Sequence, residues 1–338
     1  MHQSYGWEKN HGVTSIYFGG GTPSLTSNDD LQRILEKIQG TFSVKTEIEI
    51  TLEINPEDVT AERIAAWKAT GINRFSLGLE AMQDDQLRRL GRAGTLADNL
   101  RALDYFAAAE VNLSVDLIFG LEHQTLENWM QTLEKVIVWN PQHISAYNLT
   151  IEEKTKYWVE VKQNTLVPPP DETNAEMFLQ GRAFLQTHGY AAYEISNFAK
   201  PGFESQHNQS YWTGQNYWGL GVAAHSLQRT SKNEVRRFWN PKSIQSYLLA
   251  MEKSELAIET EILPLEKHFS ERVMVALRTS QGANLPTIES DLNMVTPATL
   301  KTYFDQKIRD GFLRTQGADL VLTEKGLLFS DDVFLGLF

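Results

Sequence analysis

The chain has 338 residues, 41% of them hydrophobic and 22% charged, which suits one large globular domain and a smaller one. A net charge of −12 excludes broad nucleic-acid binding, which needs clustered Lys and Arg against phosphate, and no apolar run approaches the roughly 18 residues of a membrane span. There is no cysteine, so disulfides, thiolate metal sites and cysteine nucleophiles are excluded for these residues. The first ten residues lack the basic and apolar regions of a signal peptide, so a cytoplasmic location is expected.

Strand and helix signals alternate through the first half. Thr14–Phe18 reads as a buried strand, followed by a helix capped by Ser27 with Leu31, Ile34, Leu35 and Ile38 on one face and Gly40 at its end. Glu47–Asn55 reads as a strand, and Thr60 caps a helix that stops at Gly71. Arg74–Glu80 is a third strand, with helices over Asp84–Leu90 and Thr95–Ala109. Leu113–Leu121 is a fourth strand, Thr125–Trp139 a helix and His143–Ile151 a fifth strand. Five strands separated by helices imply parallel βα units with right-handed crossovers.

In such a fold, functional residues gather at the C-terminal ends of the strands. Those ends carry Gly19–Pro23, Glu53 with Asn55, Glu80, Asp116 and Asn148. Turn glycines and acidic helix caps give a similar pattern in any α/β fold, yet Glu53, Glu80 and Asp116 lie inside apolar strands, where a lone carboxylate is costly.

The second half differs. Val167-Pro168-Pro169-Pro170-Asp171 is a rigid loop, Glu172–His188 a helix ending at Gly189, and Tyr190–Phe198 an aromatic-rich strand. Residues 199–240 read as a long aromatic loop, and His225 as a residue closing a turn. From Leu263, two helices and the strand pair Phe312–Thr315 and Leu320–Thr323 suggest a small helical or winged-helix-like domain.

The ordered motifs Gly19-Gly20-Gly21-Thr22-Pro23, Leu52-Glu53-Ile54-Asn55-Pro56, Ser76-Leu77-Gly78-Leu79-Glu80, Leu90-Gly91-Arg92 and Val115–Leu121 come first. Tyr193–Ala199, His207-Asn208-Gln209-Ser210-Tyr211-Trp212 and Gly219–Ser226 complete the series. In this order they resemble the HemW family of heme chaperones, relatives of the oxygen-independent coproporphyrinogen III oxidases called HemN. The resemblance covers nearly the whole chain. It implies an α/β fold: a partial (β/α)6 barrel of the radical S-adenosylmethionine (SAM) type, here lacking its first strand, with the small C-terminal domain. The expected divisions are residues 1–165 for the incomplete barrel, 166–262 for an extension with the aromatic loop, and 263–338 for the C-terminal domain.

The family's first strand carries a Cys-x3-Cys-x2-Cys loop for a [4Fe-4S] cluster, and this chain has no cysteine to supply those thiolates. The bare edge of Thr14–Phe18 is then expected to be covered by residues 1–12, by a second copy or by another polypeptide. Further departures are Gly78-Leu79-Glu80-Ala81 for Gly-Val-Gln-Ser, Arg92-Ala93-Gly94-Thr95 for Arg-x-His-Thr, Gly120-Leu121-Glu122 for Gly-Leu-Pro, and Ser205 for a common Cys.

The resemblance implies a SAM-type pocket of Gly20, Gly21, Thr22, Glu53, Glu80, Arg92 and Asp116, binding SAM only weakly without the iron that chelates it; the alternative is a buried ion-pair network. It implies heme contact at His207, the expected iron ligand, with Tyr211 as fallback, against a role in pinning the loop. An unperturbed imidazole would lose heme below about pH 6.5. The leading expectation is a heme- or porphyrin-binding protein without cluster chemistry and without catalysis. The alternatives are a radical SAM enzyme resembling coproporphyrinogen oxidase, whose cluster segment lies elsewhere, and a purely structural partner.

Overall fold

The computed structural model describes residues 12–229, 234–253 and 259–338. The chain divides into two compact units, one reaching to His207 and the other running from Asn208 to Phe338.

The first unit is built on a curled seven-stranded sheet. Its strands are β1 (Gly12–Phe18), β2 (Ser43–Ile54), β3 (Arg74–Glu80), β4 (Asn112–Phe119), β5 (His143–Asn148), β6 (Ala191–Ala192) and β7 (Asn197–Ala199). The order across the sheet is β1-β2-β3-β4-β5-β7-β6, with β1 to β5 parallel and β7 and β6 antiparallel to their neighbours. The helices are α1 (Asn28–Gln39), α2 (Ala61–Ala69), α3 (Asp84–Arg89), α4 (Leu96–Ala109), α5 (Leu126–Ile137), α6 (Lys156–Lys162) and α7 (Asp171–Thr187). Ser27, Thr60, Thr95 and Thr125 each accept a backbone N–H in the first turn of α1, α2, α4 and α5, and the last two form reciprocal capping boxes.

The alternation along the strands separates two faces. One face carries Ile48, Ile50, Leu52, Ile54, Phe75, Leu77, Leu113, Val115, Leu117, Phe119 and Ile144, all buried in one cluster with Leu31, Ile64, Trp67, Phe106 and Trp129 of the helices. The other, inner face carries Ser15 and Tyr17, Glu49, Thr51 and Glu53, Arg74 and Ser76, Ser114 and Asp116, and His143 and Ser145. Five parallel strands in a radical-SAM-type half-barrel agree with the expectation from sequence. Among the described residues β1 pairs only with β2; residues 1–11, expected with residue 12 to cover its edge, lie outside the described residues.

Three expectations are corrected. Tyr190–Phe198 is not one strand, because the Glu194 carboxylate accepts from Ser196 N–H and Asn197 Nδ2, folding the segment into a bend between β6 and β7. Nor are residues 199–240 a loop: α8 (Gln206–Trp212), β8 (His225–Arg229) and β9 (Val235–Trp239) lie within them. His225 opens β8 and stacks on Trp239 at 5.6 Å instead of closing a turn.

In the second unit α9 (Ile244–Glu252) follows, and β10 (Glu259–Leu263) completes the antiparallel sheet β10-β9-β8. The C-terminal part contains α10 (Leu265–Leu277), β11 (Ala283–Asn284), α11 (Leu285–Leu292), α12 (Ala298–Arg309), β12 (Leu313–Gln316), β13 (Asp319–Leu322), α13 (Glu324–Leu328) and α14 (Ser330–Leu335). Its antiparallel strands run β11-β13-β12 beside the helices, the winged-helix-like arrangement expected. No helix among the described residues is long and apolar enough to cross a membrane.

Candidate functional site

The inner face of the sheet places the expected acidic residues in one electrostatic field. Glu53, near the end of β2, is held at both oxygens: Tyr17 Oη donates to Oε1 at 2.8 Å and Gly20 N–H to Oε2 at 3.0 Å. That second bond turns the glycine loop onto β2. Gly20 and Gly21 have φ of 76° and 66°, and the space where a Cβ would stand is open at both, so the loop presents bare backbone. Beyond it, Ser24 Oγ donates to Asp58 at 2.6 Å and Arg63 donates to the Ser24 carbonyl, tying the loop's far end to the start of α2.

Asp116 on β4 accepts from Ser76 Oγ at 2.9 Å. Burial pushes its carboxyl up, opposed by hydroxyls of Ser145 and Ser76 and the Arg74 charge, and reinforced by Glu53. The Tyr17 phenol is also pushed up, by burial first and then by Glu53 and Asp116, so it stays a donor at ordinary pH.

Arg92 pairs with Glu80, not with Glu53 or Asp116. Glu80 ends β3 in the left-handed region, with φ of 61°, where a register shift against β4 breaks the ladder. The buried Asn99 amide clamps this turn by donating to the Leu79 and Ala81 carbonyls at 3.0 and 2.8 Å. Burial lowers the Arg92 guanidinium, against the charges of Glu57 and Asp116.

His207 reaches the same face from the far end of its unit, 192 residues after Ser15. It lies in the first turn of α8, stacked on the Tyr17 ring at 4.7 Å and 18°, with Nδ1 3.3 Å from Ser15 Oγ. Glu49 of β2, missed by the sequence reading, accepts from Gln206 N–H at 2.9 Å, His207 N–H at 3.0 Å and Ser205 Oγ at 3.3 Å. The helix thus borrows its cap from a strand 158 residues earlier. Arg74, only 2% exposed, lies 3.9 Å from Glu49 through Nε and completes a buried carboxylate–guanidinium pair. Only the period-2 alternation of acids in Glu47–Asn55 could have drawn attention to Glu49. Burial pulls the His207 imidazole down to about 4, Glu49 opposing and Arg74 reinforcing, so the neutral ring persists well below the pH of 6.5 expected from an unperturbed histidine.

Tyr211 stands four residues on in α8, within the unit that begins at Asn208, and packs edge-on against Tyr217 at 4.8 Å. Burial raises both phenols. In the same unit Trp212 lies under the Arg278 guanidinium at 5.0 Å.

The donor set decides which groups these residues fit. A [4Fe-4S] cluster does not fit, because the chain offers no thiolate, and among the described residues no group of three or more His, Asp or Glu could hold a metal ion. The residues present are suited to a polar small molecule. The glycine loop offers an open backbone cradle, and two inner-face atoms, Thr51 Oγ1 and Arg74 Nε, are buried without a hydrogen-bond partner among the described residues. Heme fits in one respect, a neutral and oriented imidazole at His207.

Residues 6–136 match the radical SAM superfamily. A 219-residue stretch is 41% identical to radical S-adenosyl methionine domain-containing protein 1, mitochondrial, of Mus musculus, covering 63% of this chain but only 48% of that protein. Over 331 residues the chain is 30% identical to heme chaperone HemW of Bacillus subtilis (strain 168), covering 95% of this chain and 84% of the relative. Among solved structures, coproporphyrinogen III oxidase (HemN) from Escherichia coli, described as a radical SAM enzyme, superposes with a TM-score of 0.78 over 96% of this chain and 78% of its own, at 20% identity. That likeness is one of fold.

Proposed function

Because the chain belongs to the HemW family of the radical SAM superfamily, we propose that it binds heme through α8 and acts as a heme-binding carrier without cluster chemistry. The observation that carries this reading is His207: a neutral imidazole, backed by Tyr17 and held at its backbone by Glu49. An imidazole nitrogen is the common axial ligand of heme iron, and such a ligand must be deprotonated and oriented. Asn208 is assigned to orienting this segment, and Tyr211, in the same helix, is the fallback ligand. The Glu53, Glu80, Arg92 and Asp116 cluster with Gly20, Gly21 and Thr22 is assigned to a SAM-like small molecule, bound weakly because no iron anchors it.

The test is a hemin titration of the wild type, His207→Ala and Tyr211→Phe, followed at the Soret band. Loss of affinity or a band shift in His207→Ala supports the reading. An unchanged titration reduces the histidine to a residue that pins α8.

A second reading, a radical SAM oxidoreductase of the coproporphyrinogen dehydrogenase type, draws on the same inner face of Glu53, Arg92 and Asp116. It needs thiolates that these 338 residues do not contain. Anaerobic reconstitution with iron and sulfide therefore leaves no cluster on this chain; a stoichiometric, EPR-active cluster would favour the enzyme.

A further inference from the structure

Tyr17 touches both parts of the inner face at once. Its hydroxyl donates to Glu53 Oε1 at 2.8 Å, while the other oxygen of that carboxylate holds Gly20 N–H. Its ring lies against the His207 imidazole at 4.7 Å, nearly parallel. Ser15, two residues earlier on the same strand face, meets His207 Nδ1 at 3.3 Å. The ring and the carboxylate pack closely over Gly19, where an added Cβ would stand 2.6 Å from Tyr17 Cε1 and 2.9 Å from Glu53 Oε1. At the other end Glu49 fixes the His207 backbone, so the imidazole responds to Tyr17 by turning about its own side-chain bonds, not by moving the helix.

We propose that Tyr17 is a positioning residue shared by the glycine loop and His207, so that a ligand drawing Glu53 away from Tyr17 changes the orientation of the imidazole. The inference rests on the reading above, in which the glycine loop takes a SAM-like ligand and His207 takes heme. Among the described residues, the acceptor of the Tyr17 hydroxyl is Glu53. An ammonium group arriving at Glu53 competes for the oxygens now shared by Tyr17 and Gly20. Released from Glu53, the phenol ring keeps its packing against Gly19 but loses the bond that fixes its tilt, and the stacked imidazole follows. Two sites joined by one rigid side chain affect each other reciprocally.

The experiment is a double-mutant cycle read at His207 in the heme-free full-length chain. The imidazole Hε1 resonance is assigned by its disappearance in His207→Ala. Glu53→Gln is expected to shift that resonance when Tyr17 is present and to leave it nearly unmoved in a Tyr17→Phe background. Tyr17→Leu, which removes both the stacked ring and the hydroxyl, replaces Tyr17→Phe as the background if that variant is poorly folded, and Glu53→Gln should again leave the resonance nearly unmoved in it. Additive shifts from Glu53→Gln and Tyr17→Phe overturn the proposal. S-adenosylhomocysteine then serves as the unreactive probe: its binding should move the His207 resonance and alter hemin affinity by about fivefold or more, and both effects should vanish in Tyr17→Phe. A calorimetric signal with an unmoved resonance also overturns the coupling. Absence of that signal, or of a hemin Soret band, counts against the functional reading instead, while the mutant cycle still decides the role of Tyr17.

Discussion

The two faces of the seven-stranded sheet are made by the same strands and obey different physics. The helix-covered face is stabilised by area: Leu52, Phe75, Leu77, Val115 and Ile144 are all fully buried, and any apolar side chain of similar volume would serve there. The inner face is stabilised by pairing: Glu49 with Arg74 and the α8 amides, Glu53 with Tyr17 and Gly20, Asp116 with Ser76. A polar face of this kind loses heavily when one partner is removed, and tolerates unfilled positions such as Thr51 Oγ1 only at some cost in stability. A sheet can therefore carry a ligand site along the length of its strands, provided its stability resides on the other side.

The largest effect should come from the apolar face. Phe75 packs between Trp67 and Phe106 at 6.4 and 5.4 Å, and Phe75→Ala should cost about 3–5 kcal/mol in urea unfolding. A loss below about 1 kcal/mol would break the division of labour between the faces.

Next comes Glu49→Ala, which strands Arg74 in the interior and uncaps α8. Removing one member of a buried pair costs about 3–5 kcal/mol; because this pair is long, at 3.9 Å, about 3 kcal/mol is expected. Hemin affinity should fall with it. Retained hemin binding in a folded Glu49→Ala protein would separate the cap from the site.

Taken ring by ring, a smaller effect is set by pH. His143, fully buried between Ser114 Oγ and Tyr193 Oη at 2.7 and 2.9 Å, and His268, buried in the second unit with neither ring nitrogen hydrogen-bonded, are both pulled down by burial, His268 to about 4. An imidazole kept neutral in the fold gains its proton more readily after unfolding. Stability is thus complete above the unfolded value near 6.5 and is lost as pH falls from there towards about 4, by up to about 1.4 kcal/mol per pH unit for each ring. Urea midpoints between pH 7 and 4.5 measure the slope, and His268→Leu should make it shallower by one ring's share. A flat profile in the wild type would refute the neutral assignment.

The smallest effect should be Thr51→Val, which replaces an orphaned hydroxyl by a methyl of similar size. Thermal melting should show no loss, or a gain of up to about 1 kcal/mol. A clear destabilisation would mean that the hydroxyl is paired after all, which would sharpen the description of the inner face.

Much of this was legible in the sequence where local signals and long-range contacts agree. The alternation in Glu47-Ile48-Glu49-Ile50-Thr51-Leu52-Glu53-Ile54 sets two faces without help from any other segment, and the caps at Ser27 and Thr60 are local. Glu53, Asp116 and His207 were identified as site residues, and the fold sets all three on one polar face. What escaped was non-local. The seven residues of α8 are too few for a helical period to show, and its cap is a carboxylate on another strand. Arg74 looks like the polar start of a strand until its burial beside Glu49 is seen. The two-residue β6 and three-residue β7 leave no period at all, and their course is fixed by the Glu194 side chain, not by alternation.

The borrowed cap of α8 also orders events in time. A helix of seven residues has little stability before its ends are satisfied, and the contact that satisfies its first turn spans 158 residues of chain. During synthesis, β2 is made and can pair with β3 long before Gln206 exists, so the sheet can assemble while the histidine segment is still to come. Contacts of such long sequence separation form late and slowly. The His207 imidazole therefore joins the inner face only after the strands that receive it can already be paired.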